Sequence, residues 1–182
     1  MEELIALNLS NNKIIDINIL GKTNLKVLKK LNLSKNQISN IDALGDINCK
    51  ELKELDLSCN KIINIDIFGK VNFPNLLLLN LNKNIISDIN ILGSANLINL
   101  KKLYLKSNNI TTINCLGKTK SKNLQQLKLS RNKISNIKVL KTFPSFYKSL
   151  NLLHINKNEK IDLDHNTYII FNLRCQIDKF KI

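Results

Sequence analysis

The chain has 182 residues, 43% of them apolar, and carries 28 basic against 14 acidic side chains, a net charge of +14. That length suits one domain or one short repeat array with a real core, and no run approaches the roughly 18 uncharged apolar residues that a membrane span needs. The N-terminal MEELIALNLS lacks the basic, apolar, small-residue order of a signal peptide, so the expected address is intracellular, cytoplasmic or nuclear.

The elements follow one period. Leu4, Leu28, Leu52, Leu76, Leu100 and Leu124 stand 24 residues apart, and each opens the pattern LxxLxLxxNxIxxI. In the second copy the pattern is filled by Leu28, Leu31, Leu33, Asn36, Ile38 and Ile41, followed by Leu44 and Gly45. A seventh, irregular copy starts at Leu150 after a two-residue insertion in KTFPSFYKS. Each LxL triplet alternates as a strand with one buried face does. The next strand comes too late for a tight hairpin, so successive strands are expected to pair in parallel, and a single repeat needs its neighbours to bury its core.

Asn12, Asn36, Asn60, Asn84, Asn108, Asn132 and Asn158 each follow a strand where the chain turns inward. A turn against the core strands backbone groups away from water, and a buried amide offers two donors and an acceptor to meet them. This column is therefore read as structural. Gly21, Gly45, Gly69, Gly93 and Gly117 also recur every 24 residues. They form no phosphate-binding loop and are read as positions needing positive φ or tight packing.

These residues resemble the leucine-rich repeat family, and the NxIxxIxxL phrasing resembles its SDS22-like subclass. The likeness runs from residue 4 to about residue 158. It implies an α/β fold: a right-handed solenoid with a parallel concave sheet of about seven strands, short helical or extended segments on the convex side, and protein binding on the concave face. It also implies a helical C-terminal cap, placed at 159–182 after a repeat array spanning 1–158. There Ile161, Leu163, Tyr168, Ile169, Phe171 and Leu173 are available to cover the core, although the Tyr-Arg pair and Pro usual in such caps are missing. The first repeat begins at residue 4 with no cap before it, so its strand, placed at Ala6 to Ser10, is expected to leave an open edge. That points to a longer parent chain or to something that covers the edge.

On the outward side of the strands, the column between the two leucines reads Asn8, Asn32, Asp56, Asn80, Tyr104, Lys128, His154. The Asn-rich early members are read as simply solvated. Neighbouring strands lie about 4.8 Å apart, so Tyr104, Lys128 and His154 form a row, with Lys102, Lys106, Arg131 and Lys157 around it. These seven are the candidate partner-binding residues. The charge map points to the same end: from Ile89 to Asn158 there are thirteen Lys or Arg and no acidic residue. Residues 1 to 92 carry eleven basic and ten acidic side chains, and residues 93 to 182 carry seventeen and four. With 26 Lys and 30 Asn against two Arg, genomic bias accounts for part of the lysine excess but not for the loss of acids from one half.

Such a field suits an acidic protein, a nucleic acid or an anionic surface. The expected function is a non-catalytic protein-binding scaffold for an acidic partner. The alternatives are a nucleic-acid or ribonucleoprotein contact, and a phosphatase-regulatory subunit implied only by the subclass likeness. No catalytic constellation can be assembled from two histidines on a solenoid, so no enzyme is expected, and no cofactor or metal. His154 and His165 lack Cys partners. Cys49, Cys59, Cys115 and Cys175 show no CxxC spacing and are read as reduced, with Cys49 and Cys115 in the core.

Overall fold

The computed structural model describes residues 3–142 and 149–158. Seven three-residue strands form one parallel sheet in sequence order: β1 (Ala6–Asn8), β2 (Lys30–Asn32), β3 (Glu54–Asp56), β4 (Leu78–Asn80), β5 (Lys102–Tyr104), β6 (Gln126–Lys128) and β7 (Leu152–His154). The first strand is thus shorter than its apolar alternation suggests. The register pairs each residue with its equivalent in the next repeat, including Leu31 with Leu55 and Tyr104 with Lys128. The insertion before Leu150 leaves this register intact, pairing Lys128 with His154.

Each strand puts one leucine inward and its two neighbours outward. Leu55, Leu79, Leu127 and Leu153 are fully buried, as are Leu28, Leu33, Leu57, Ile38, Ile62 and Ile86. The core is therefore a set of columns, one per pattern position, running the length of the solenoid. Opposite the sheet lie short helices: α1 (Asn18–Gly21) in the first repeat and 3-10 turns at Asp42–Gly45, Asp66–Gly69, Asn90–Gly93, Asn114–Lys118 and Lys138–Thr142. A side chain two residues before each turn starts it. Asp16 Oδ1 accepts from Asn18 N at 2.6 Å, Asn40 Oδ1 from Asp42 N at 2.7 Å, and Asn64 Oδ1 from Asp66 N at 2.6 Å.

The asparagine column joins each repeat to the one before it. Asn84 Nδ2 donates to Leu57 O of the preceding repeat at 3.0 Å and to Leu81 O of its own at 3.1 Å, while its Oδ1 accepts from Ile62 N at 3.0 Å. Asn36, Asn60, Asn108, Asn132 and Asn158 repeat the arrangement with Ile14, Ile38, Ile86, Ile110 and Ile134. The structural reading of this column holds. These amides meet backbone groups that are buried in the middle repeats and part-buried at the two ends.

The glycines are decided between their two readings in favour of tight packing. No glycine has positive φ; that conformation belongs to Asn11, Lys35, Cys59, Lys83, Ser107, Arg131 and Lys157, at φ between 54° and 60°. Each of these immediately precedes a ladder asparagine, so the chain enters the left-handed region to swing that amide inward. The glycines serve close packing instead. A Cβ on Gly93 would stand 3.0 Å from the backbone oxygen of Cys115 in the next repeat.

The first repeat is packed on one side only. Ile19 is 67% exposed, whereas Ala43 and Ile67, its equivalents in the next two repeats, are 6% and 7% exposed. Ile5 and Ile15 are exposed as well. The C-terminal segment 159–182, with His165 and Cys175, lies outside the described residues. Among the described residues no helix is long and apolar enough to cross a membrane.

Candidate functional site

The outward column changes character between the fourth and fifth repeats. In the first four it is not idle solvated surface, as its composition suggests. Asn8 Oδ1 accepts from Ser10 N at 3.0 Å, Asn32 Oδ1 from Ser34 N at 3.0 Å, Asp56 Oδ1 from Ser58 N at 2.9 Å, and Asn80 Oδ1 from Asn82 N at 3.2 Å. Each closes a local turn at the strand's end, as Asx side chains do, just before the left-handed residue.

From the fifth repeat the column holds Tyr104, Lys128 and His154. Lys106 N takes its acceptor from the previous repeat instead, bonding Asn82 Oδ1 at 2.7 Å. Among the described residues no side-chain acceptor closes the turn at Ser130 N, two residues after Lys128. Ser130 is only 4% exposed, so its N–H loses a partner that water does not readily replace.

The released positions make a connected cluster. Lys128 Nζ sits 4.2 Å from the Tyr104 ring centroid, a cation-π contact across the β5–β6 pair. Tyr104 Oη donates to Gln126 Oε1 at 2.5 Å. Burial pushes the Tyr104 phenol up from its ordinary value, so it stays neutral and able to donate. Gln126 is the member that sequence reasoning missed. It stands beside Lys102 in the register and is thus a diagonal neighbour of Tyr104, within reach of a long aromatic side chain.

The other candidates lie around this cluster. Lys102 lies on the outward face of β5 and His154 follows Lys128 in register on β7. Arg131 and Lys157 occupy left-handed positions at the strand ends, and both are exposed. Lys106 is half-buried beside them. The sole ion pair among the described residues lies in the other half, Lys30 Nζ to Glu54 Oε1 at 3.0 Å.

The cysteines stand apart from this face. Cys49 and Cys115 are buried and free, with Sγ donating to Leu25 O at 3.4 Å and to Ile89 O at 3.1 Å. Burial pushes both thiols up to about 11, which leaves them protonated and inert near neutral pH. Cys59 is half-buried in its left-handed turn. Among the described residues no group of three or more His, Cys, Asp or Glu is placed to hold a metal ion.

Residues 26–70 match the family model described as Leucine Rich repeats (2 copies). No curated protein matches the chain. Among solved structures it is similar to an internalin (inlF) from Listeria monocytogenes, with a TM-score of 0.79 and 26% identity over 98% of this chain and 48% of that one. An internalin C2 (inlC2) from the same organism gives a TM-score of 0.78 and 28% identity over 97% of this chain and 72% of that one. The Toll–Spatzle complex of Drosophila contains a chain with a TM-score of 0.72 and 26% identity, over 86% of this chain and 22% of that one. This chain thus spans about half the length of the inlF internalin (48%). By its parallel sheet, its period and these likenesses, the protein folds as a right-handed leucine-rich-repeat solenoid.

Proposed function

We propose that the protein is a non-catalytic scaffold that holds an acidic protein partner on the outward face of its sheet, in its C-terminal half. Lys102, Tyr104, Lys106, Lys128, Arg131, His154 and Lys157 make the contact. The observation that carries this reading is the change at the fifth repeat, where a column that closes turns in β1 to β4 is given over to Tyr, Lys and His in β5 to β7. A side chain that leaves a buried N–H without its partner is retained against a stability cost of about 1 kcal/mol or more. Binding is a sufficient reason for it. The acid-free stretch from Ile89 to Asn158 supplies a field that steers an acidic surface inward, and a half-buried Tyr among cations is the kind of anchor that interfaces use.

The Toll–Spatzle complex, a protein complex built on a similar fold, supports protein binding as the general class of activity. Buried free thiols support an intracellular address. Assignment to the SDS22-like subclass rests on the NxIxxIxxL phrasing; a regulator of phosphatases, the role that subclass implies, would bring a phosphatase through purification with it. A nucleic-acid contact is the second reading, favoured by the thirteen cations between Ile89 and Asn158, and it requires affinity to fall steeply with salt.

A pull-down from native lysate separates these readings. A protein retained after nuclease treatment, lost with a Lys106→Glu, Lys128→Glu, Arg131→Glu variant and kept with Lys13→Glu, Lys61→Glu, is the expected result. Bound material that vanishes with nuclease would transfer the function to nucleic acid. Equal binding by all variants would remove the site.

A further inference from the structure

Among the described residues, the sheet face in the C-terminal half offers lysine and arginine charge with no carboxylate to meet it. Lys102, Lys106, Lys128, Arg131 and Lys157 have no carboxylate within ion-pair distance among the described residues, in contrast to Lys30 with Glu54. These cations belong to three consecutive repeats. With strands about 4.8 Å apart, Tyr104, Lys128 and His154 span only about 10 Å. A folded protein surface intersperses charges of both signs, so it seldom offers several carboxylates so close together. A run of Asp and Glu does, and such a run repels itself and stays unfolded until bound.

The backbone narrows the mode of binding. β5 and β6 are paired on both sides, so a peptide cannot join the sheet there as an added strand. It must lie across the strands and be read by side chains. An extended chain advances about 3.3 Å per residue, so about four residues cross from β5 to β7. Gln126 Nε2 remains available to a peptide carbonyl, because its Oε1 is the atom that accepts from Tyr104.

The same cluster disfavours single-stranded nucleic acid. That class of ligand is held by bases stacking on aromatic faces. Here the Lys128 ammonium already covers one face of Tyr104, and a stacking base on that side would have to displace it.

We infer that the site's ligand is a short unfolded acidic segment of the partner, with three or more Asp or Glu within about six residues, lying across β5 to β7. This rests on the reading that the face binds an acidic protein, and narrows it.

The test uses three fluorescein-labelled probes with the purified full chain: a Glu-rich dodecapeptide, its Gln counterpart, and a twelve-residue oligothymidylate, with anisotropy measured over a salt series. The expected result is saturable binding of the Glu peptide, little of the Gln peptide, and weaker binding of the oligonucleotide at equal salt. Lys128→Ala and Arg131→Gly each weaken Glu-peptide binding several-fold, and Lys13→Ala, Lys61→Ala does not; urea unfolding verifies that each variant is folded. Tighter binding of the oligonucleotide overturns the inference, as does equal loss in the Lys13, Lys61 control, which would mean a net-charge effect. If no Glu peptide binds while the pull-down partner is still lost in the triple Glu variant, the segment is wrong and the scaffold reading stands on a folded acidic surface.

Discussion

The two halves of the solenoid share one core and differ on one face. In β1 to β4 the outward column is built from Asn and Asp that close their own turns, and the sheet-face pair Lys30 and Glu54 neutralise each other. In β5 to β7 the same column carries Tyr104, Lys128 and His154, and among the described residues Lys128 has no ion-pair partner and no side chain closes the turn at Ser130. The inward positions do not register this change: Leu79 and Leu127 are equally buried. Beyond the first repeat the inward leucines thus pack alike in both halves, while the outward column closes turns in one half and not in the other.

The largest expected effect lies in the core that both halves share. Asn84→Ala leaves Ile62 N without its acceptor and takes one of two amide donors from Leu57 O and Leu81 O, which keep those of Asn60 and Asn108. At about 1–3 kcal/mol for the one N–H stranded out of water and about 0.5 kcal/mol for each carbonyl bond lost, it destabilises by about 3 kcal/mol in urea unfolding. Asn12 is exposed and bonds only within its own repeat, to Leu9 O and Ser10 O, so Asn12→Ala costs under about 1 kcal/mol. Equal costs would mean that the ladder is not what joins the repeats.

The surface comparison is broken next by Asp56→Lys, which places a C-terminal-half residue in the N-terminal half. It removes the acceptor of Ser58 N and lowers stability by about 1 kcal/mol. An unchanged urea midpoint would show that these turns contribute nothing. Arg131→Gly has the opposite sign. Arg131 sits at φ 56°, a region that costs a non-glycine residue about 1 kcal/mol, so the glycine variant equals or slightly exceeds wild type in stability while weakening partner binding. Loss of both would assign Arg131 to the fold.

The smallest signal comes from the thiols. Their folded values are raised to about 11 from an ordinary 9.0, so the folded state holds the proton more tightly. The stability this contributes is fully present below about pH 9 and is lost as pH rises toward 11. Alkylation at neutral pH, mapped by mass spectrometry, should modify Cys59 well before Cys49 or Cys115; equal rates would contradict the burial of the last two.

What could be read in the sequence was whatever repeats with a chemical reason. The leucine columns and the ladder asparagines recur without a slip through six repeats, and each has one job that few residues can do. The left-handed column was illegible because its members are Asn, Lys, Cys, Lys, Ser, Arg and Lys. Nothing in those side chains announces positive φ, whereas the periodic glycines suggest it and do not adopt it. Asn8, Asn32 and Asp56 looked like solvent-facing filler because an Asx turn is closed by a bond two residues away, which composition does not reveal. Tyr104 and Lys128 were legible as neighbours from the period alone. Gln126 was not, since its contact is diagonal to the register and the period picks out only the residues directly opposite.

Lys128→Asn tests the division of the surface most directly. It restores a turn-closing acceptor beneath Ser130 N and removes the cation over Tyr104 in a single change. The expected variant is more stable than wild type by about 1 kcal/mol and binds the Glu-rich peptide, or the partner from lysate, several-fold more weakly. A variant less stable than wild type, or one that binds as well, would contradict that division.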